Sequence, residues 1–283
     1  MFWKKWFFNN EEEVLQNFED YLDVKAIVLT DVGNVRTNNE DRALFIRPST
    51  NLERNEKGFL AILADGMGGH SSGEVAAGIA LDTIQRVYYK EKGNDKQLLN
   101  KAFSEANENI FRSAHKNSKN KGMGTTCSTI LIKKNKIYLA HVGDSRIYFL
   151  NNGQLQQISE DHTYVMDLFR NGMIKEDEIN NHPERNILTR AMGTKEKVEF
   201  QILEIDLIPQ EIEKILICSD GLYEYIKTNE IQDILNRNTI SEAAHHLVRV
   251  AKQRGGHDNI TLVLMDFIQR EIQNELKETK SFD

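Results

Sequence analysis

Short apolar runs bounded by clusters of Asn, Asp, Gly and Ser recur along this chain. They read as strands over residues 25–30, 43–46, 59–64, 126–132, 136–141, 146–150, 198–205, 214–218 and 259–267. After the third run the spacing changes to that of a helix. Ala76, Ile79, Ala80, Thr83 and Val87 mark one helical face, and Leu99, Ala102, Phe103, Ala106 and Ile110 mark another. Asn152-Gly153, between two runs, predicts a two-residue hairpin. Strands joined by short turns, with helices grouped and not alternating, predict an α+β fold built on antiparallel sheets.

Composition narrows the class. The chain has 283 residues with only 3 Pro, no Ser/Gly tract and no internal period, which predicts one catalytic-size domain with short tails. A net charge of −7 argues against a nucleic-acid partner, which needs a clustered basic face. Cys127 and Cys218 both sit in apolar runs, as buried free thiols of a reducing compartment would. No run reaches the roughly 18 apolar residues of a membrane span, and the N-terminus lacks the pattern of a secretory signal, so the expected location is cytoplasmic.

The stretch FLAILADGMGGHSSGE carries the densest chemistry. A dinucleotide fingerprint fails because Ser71 stands where its last glycine belongs, and a P-loop fails because Glu74 follows Gly73 where a cation is needed. Gly69-His70-Ser71-Ser72-Gly73 does fit a nucleophile elbow, with Asp220 and His257 later in hydrolase order, so a serine hydrolase stays open. Against it, four residues separate the strand from that elbow.

The acids give a second reading. Asp65-Gly66 ends one apolar run, Asp220-Gly221 ends another, and Asp258-Asn259 opens a third. Singly, each aspartate is a turn residue or a helix cap. Together, on neighbouring strands, they would form a like-charged cluster that calls for a hard divalent cation, Mg²⁺ or Mn²⁺. Arg36 stands four residues before Glu40-Asp41, and Asp144 lies between two strands; these are a solvated ion pair and a turn residue on the bland reading.

In this order, VGNVRTNNED, LADGMGGHSSGE, MGTTCSTILI, HVGDSRIY, EDHT, LTRAMG, CSDGLYE and GGHDNITLV resemble the metal-dependent serine/threonine protein phosphatases of type 2C in their bacterial form. The resemblance implies a four-layer α-β-β-α sandwich, with the catalytic domain over residues 25–268 and a flap at about 161–190. It implies an enzyme that hydrolyses phosphoserine and phosphothreonine by in-line attack of a hydroxide bridging two metals. Asp65 is similar to the carboxylate shared by both metals, Gly66 to a carbonyl ligand, and Asp220 and Asp258 to ligands of the other metal. Glu40 matches a ligand acting directly or through water, Asp41 and Asn259 its supports, and Asp144 the ligand of a weaker third metal. Arg36 matches the phosphate-binding arginine. Where animal members carry an acid histidine, this chain has Met67, which leaves His70 or a water as the proton source. The implied partners are phosphoproteins, among them an opposing serine/threonine kinase, for a monomeric enzyme. A non-catalytic phosphoprotein-binding module would have lost ligands, and this chain keeps them.

Two tails fall outside the resemblance, residues 1–24 and the charged 269–283. MFWKKWFF crowds five aromatics around Lys4 and Lys5, a composition suited to a membrane surface, a partner groove or an apolar patch on the same domain. Glu11-Glu12-Glu13 next to it favours the last of these.

Overall fold

Phe59–Ala64 is apolar at every position because both faces of its sheet are covered. Leu60, Ile62 and Ala64 point toward helices, while Phe59, Ala61 and Leu63 point toward a second sheet. The computed structural model describes residues 23–68, 72–116, 118–207 and 212–268. The aromatic N-terminal segment, the charged C-terminal tail, His70 and Ser71 lie outside the described residues.

One sheet runs in the order β1 (Asp23–Asp31), β12 (Ile260–Ile268), β11 (Ile212–Cys218), β8 (Arg146–Asn151) and β9 (Gln154–Gln157). The other runs β10 (Gln201–Asp206), β7 (Lys136–Val142), β6 (Cys127–Lys133), β3 (Phe59–Ala64) and β2 (Arg42–Ile46). A two-stranded ribbon pairs β4 (Gly66–Met67) with β5 (Gly124–Thr125). All pairings are antiparallel, as the sequence predicts.

Outside the sheets lie α1 (Asn51–Lys57), α2 (Ser72–Lys90), α3 (Asp95–Lys116), α4 (Tyr164–Arg170), α5 (Glu176–Ile179), α6 (Asp220–Tyr223), α7 (Thr228–Arg237) and α8 (Ile240–Gln253). The predicted apolar stripes of α2 and α3 pack with Leu60, Ile62 and Leu131 of the second sheet. Ala243, Ala244, Leu247 and Ala251 of α8 pack with Leu216, Leu262 and Leu264 of the first. Between the sheets, Leu63, Ile130, Phe149, Ile217, Val263 and Met265 close a third layer of core. The result is a four-layer α-β-β-α sandwich.

α1, α7, α8 and the ribbon of β4 and β5 were not read from the sequence, and two strands differ from the predicted runs. β9 went unread because QLQQ has a single apolar residue, and it forms by completing the hairpin at Asn152-Gly153, both at positive φ. The run at 198–205 starts late, at Gln201, because Val198 and Phe200 are spent packing on the helix-covered core ahead of the strand. Cys127 and Cys218 are both buried free thiols, and burial pushes each up to about 12.

Candidate active site

The pairings bring the C-terminal ends of β1, β3, β7 and β11 and the start of β12 to one edge of the sandwich. That edge holds every acid singled out from the sequence. Asp65 follows β3 directly. Its N–H donates to Thr126 Oγ1 at 3.0 Å, and its carbonyl accepts from the Thr126 N–H at 2.9 Å and the Thr125 hydroxyl at 2.8 Å. The carboxylate is thereby left to the cavity beyond.

The glycine loop is explained by close approach. A Cβ on Gly66 would lie 2.2 Å from the Gly73 carbonyl oxygen, and one on Gly73 would lie 2.5 Å from Glu40 Oε2. The loop, the first turn of α2 and the Glu40 segment therefore share a space with no room for a side chain. Gly221 serves the second acid in the same way: a Cβ there would meet the Asn259 carbonyl oxygen at 2.0 Å. This contact lets Asp220, the first residue of α6, approach the Asp258-Asn259 segment.

Asn259 is buried and spends its whole amide on the loop carrying the other acids. Its Nδ2 donates to the carbonyls of Val32 (3.0 Å) and Asn38 (2.9 Å), while its Oδ1 accepts the Glu40 N–H at 2.8 Å. Asp41 lies deeper, with Oδ2 accepting from Ser219 Oγ at 3.0 Å. Arg36 is not paired with Glu40. Its Nη2 donates to Asp258 Oδ2 at 2.7 Å from a side chain that is 55% exposed at the cavity mouth.

Asp144 sits buried between β7 and β8, its carbonyl accepting from the Tyr223 hydroxyl at 3.0 Å. The adjoining turn is fixed by histidines. His162 Nδ1 accepts the Gly143 N–H at 3.1 Å, and His141 Nδ1 meets Ser128 Oγ at 2.8 Å. Arg146 is locked onto Asp161, with Nη2 to Oδ2 at 2.7 Å, and its guanidinium lies 3.7 Å from the Tyr223 ring centre. HVGDSR and EDHT are thus two halves of one support under Asp144.

Glu40, Asp65, Asp144, Asp220 and Asp258 all line a single cavity of about 610 Å³, and Arg36 and Gly66 line it too. Burial and then the neighbouring carboxylates push Asp65 and Asp220 well above the ordinary carboxylate range. Burial likewise lifts Asp41 to about 6 and Asp144 to about 7. A cavity that repels its own ionised form is suited to a cation. Its donors are all oxygen, which fits hard divalent ions. Among the described residues no three such side chains are gathered around one point to hold an ion, and both oxygens of Asp258 are engaged, by Arg36 and by the Asn259 N–H.

The hydrolase alternative loses a member. His257 is exposed, and its Nδ1 is held by the Tyr225 hydroxyl at 2.7 Å, away from any triad with Asp220. The cavity also has walls that the sequence did not announce. Asn186 and Leu188, from the segment at 161–190, line it. Thr126 and Ser219, which hold Asp65 and Asp41, gave no signal because buried hydroxyls in apolar runs look like ordinary strand residues.

Residues 26–167 match the family model described as Protein phosphatase 2C. The chain is 35% identical over 243 residues to the serine/threonine phosphatase stp of Listeria welshimeri, covering 84% of this chain and 93% of that one. The crystal structure of the Mycobacterium tuberculosis serine/threonine phosphatase PstP/Ppp is similar with a TM-score of 0.77 at 33% identity, over 87% of this chain and 99% of that one. The catalytic domain of PstP in complex with 2 manganese ions is similar with a TM-score of 0.75 at 32% identity, over 88% and 100% of the two chains.

Proposed function

This chain belongs to the Protein phosphatase 2C family, and from that membership we propose how its own residues divide the work of a metal-dependent serine/threonine phosphatase. The observation that carries the reading is one cavity lined by five carboxylates and an arginine.

Asp65 would be shared by two divalent ions, with the Gly66 carbonyl beside it on one and Asp220 and Asp258 on the other. Glu40 would act directly or through water, and Asp144 would serve a weaker third ion. When bound, Mg²⁺ or Mn²⁺ supplies positive charge for the phosphoryl oxygens and acidifies water toward neutral pH. Asp41 and Asn259 keep the ligand loop in register through Ser219, Val32 and Asn38.

Arg36 holds the phosphoryl group. Its guanidinium stands at the mouth on the Asp258 side, positioned to exchange a carboxylate oxygen for phosphate oxygens in the same fork. Two hydroxyls stand among the described lining residues, that of Thr37, which is exposed, and that of Thr126, which lies beside Asp65. Thr126 Oγ1 is already hydrogen-bonded to the Asp65 N–H and to Ser145 Oγ at 2.7 Å, which supports direct hydrolysis by water. The leaving alkoxide takes its proton from water or from His70. The substrates are phosphoserine and phosphothreonine proteins, among them an opposing serine/threonine kinase.

We further place residues 25–268 as the catalytic domain of a cytoplasmic, monomeric enzyme, with 161–190 as its flap. Among the described residues no helix is long and apolar enough to cross a membrane.

The test is phosphate release from a phosphothreonine peptide with Mn²⁺, with and without chelator. Release that stops on chelation supports the assignment. Release that persists, together with fluorophosphonate labelling of Ser71, would transfer the activity to a serine hydrolase.

A further inference from the structure

We propose that Asn34 is a positioning residue for phosphate binding, tying the loop that carries Arg36 to the loop that carries Asp258. The inference rests on the reading of Arg36 as the phosphate-holding group.

Asn34 spends all three of its N–H groups on the segment leading into β12. Its backbone N–H donates to the Gly256 carbonyl at 2.7 Å, and its Nδ2 donates to the carbonyls of Lys252 at 2.7 Å and Gly255 at 3.0 Å. Lys252 lies in the last turn of α8, and its carbonyl also accepts from the Gly255 N–H at 3.2 Å. The side chain therefore ties its own loop to the end of α8 and to the segment that follows it.

The two loops are interlocked too closely for most other residues. Gly256 has a φ of +56°, and a Cβ there would lie 3.0 Å from Asn34 Nδ2. Gly33 has a φ of +80°, and a Cβ there would lie 2.2 Å from the Asp258 carbonyl oxygen. The contact from Asn34 to Gly256 and the contact from Arg36 to Asp258 are two rungs, each two residues further along its own loop. Fixing the first rung sets the origin of the second. Beyond Arg36, the Asn259 amide holds the Asn38 carbonyl, so the arginine sits midway between two carboxamide clamps.

A side chain that is half exposed keeps much rotamer freedom, so its aim depends on where its backbone is anchored. Without the Asn34 clamp the guanidinium would be offered to phosphate from a looser loop, and misplacement of a binding group costs rate steeply.

The test is a double-mutant cycle on the Mn²⁺-loaded full chain, read as kcat and KM on a phosphothreonine peptide. Asn34→Ala is expected to lower kcat/KM by about tenfold with KM rising, while half-saturation by Mn²⁺ and the melting temperature stay near wild type. In an Arg36→Ala background the same substitution should change kcat/KM by less than about twofold, because its effect passes through the arginine. Should Asn34→Ala fail to fold, Asn34→Ser keeps the backbone rung and one donor, and the cycle is run with it. Losses that multiply overturn the inference and leave Asn34 as a structural cap. An Arg36→Ala enzyme with unchanged kinetics would instead overturn the reading of Arg36.

Discussion

Asp65 ionised is unfavourable in the folded protein and, on the proposed metal assignment, required for turnover, and one substitution separates the two. Burial and the charges of Asp41 and Asp220 raise its pKa on folding, so the ionised carboxylate opposes folding at every pH above the ordinary carboxylate range. Asp65→Asn should therefore raise the melting temperature of chelated protein, by roughly 2–4 °C for each kcal/mol relieved, while turnover with Mn²⁺ falls by several orders of magnitude. A lowered melting temperature would mean that its backbone bonds to Thr125 and Thr126 depend on the charge. Arg36→Ala should lower kcat/KM on a phosphopeptide by the equivalent of about 2–4 kcal/mol with Mn²⁺ half-saturation unchanged; equal kinetics would return Arg36 to the surface. At this scale Asp65, Asp220 and Asp258 were legible as acids at the ends of apolar runs. Glu40, Asp41 and Asp144 stood out as further acids beside turns, and only the resemblance gave them roles. Asn34 was mute because a carboxamide in a polar loop looks like any turn residue.

The glycines of the Asp-Gly pairs matter through the elements they let meet. Gly221 is the second residue of α6, and its missing Cβ is the space into which the Asn259 carbonyl fits. Gly221→Ala should push α6 off the Asp258-Asn259 segment, weaken Mn²⁺ half-saturation and lower turnover without touching any ligand. Gly78, within α2, has nothing within 4 Å of a built Cβ, so Gly78→Ala should leave activity intact and stabilise by up to about 1 kcal/mol. Activity titrations against Mn²⁺ and thermal melts of the pair read out both effects; equal behaviour of the two variants would refute the close-approach argument. The same logic explains which elements the sequence announced. Strands buried on both faces appear as unbroken apolar runs, whereas α7 and α8 went unread although Ile231 and Leu235, and Ala243, Leu247 and Ala251, stand at helical spacing.

At the scale of the whole molecule, antiparallel sheets with one grouped helix pair were legible in the pattern, because short turns and clustered helices leave few other arrangements, whereas the four-layer order came from the resemblance. The approach of residues 161–190 to the cavity was not written in any pattern, since α4 and α5 are largely exposed and Asn186 and Leu188 carry no periodicity. Folding also commits two histidines to neutrality. Burial pushes His141 down to about 4, and burial together with His141 pushes His162 down to about 3, both below the ordinary value near 6.5. The unfolded chain therefore binds these protons first. The stability they carry is complete above about pH 6.5 and is lost as pH falls toward 4, by at most about 1.4 kcal/mol per pH unit for each ring. The raised acids act in the opposite sense, so the clean quantity is a difference between variants that share them. His162→Gln keeps an acceptor for the Gly143 N–H and removes one titration. Its melting temperature should lie below wild type at pH 7.5 and approach it steadily between pH 6.5 and 5, because wild type alone pays for protonating the ring; a gap that stays constant over that range would show that His162 is not held neutral by the fold.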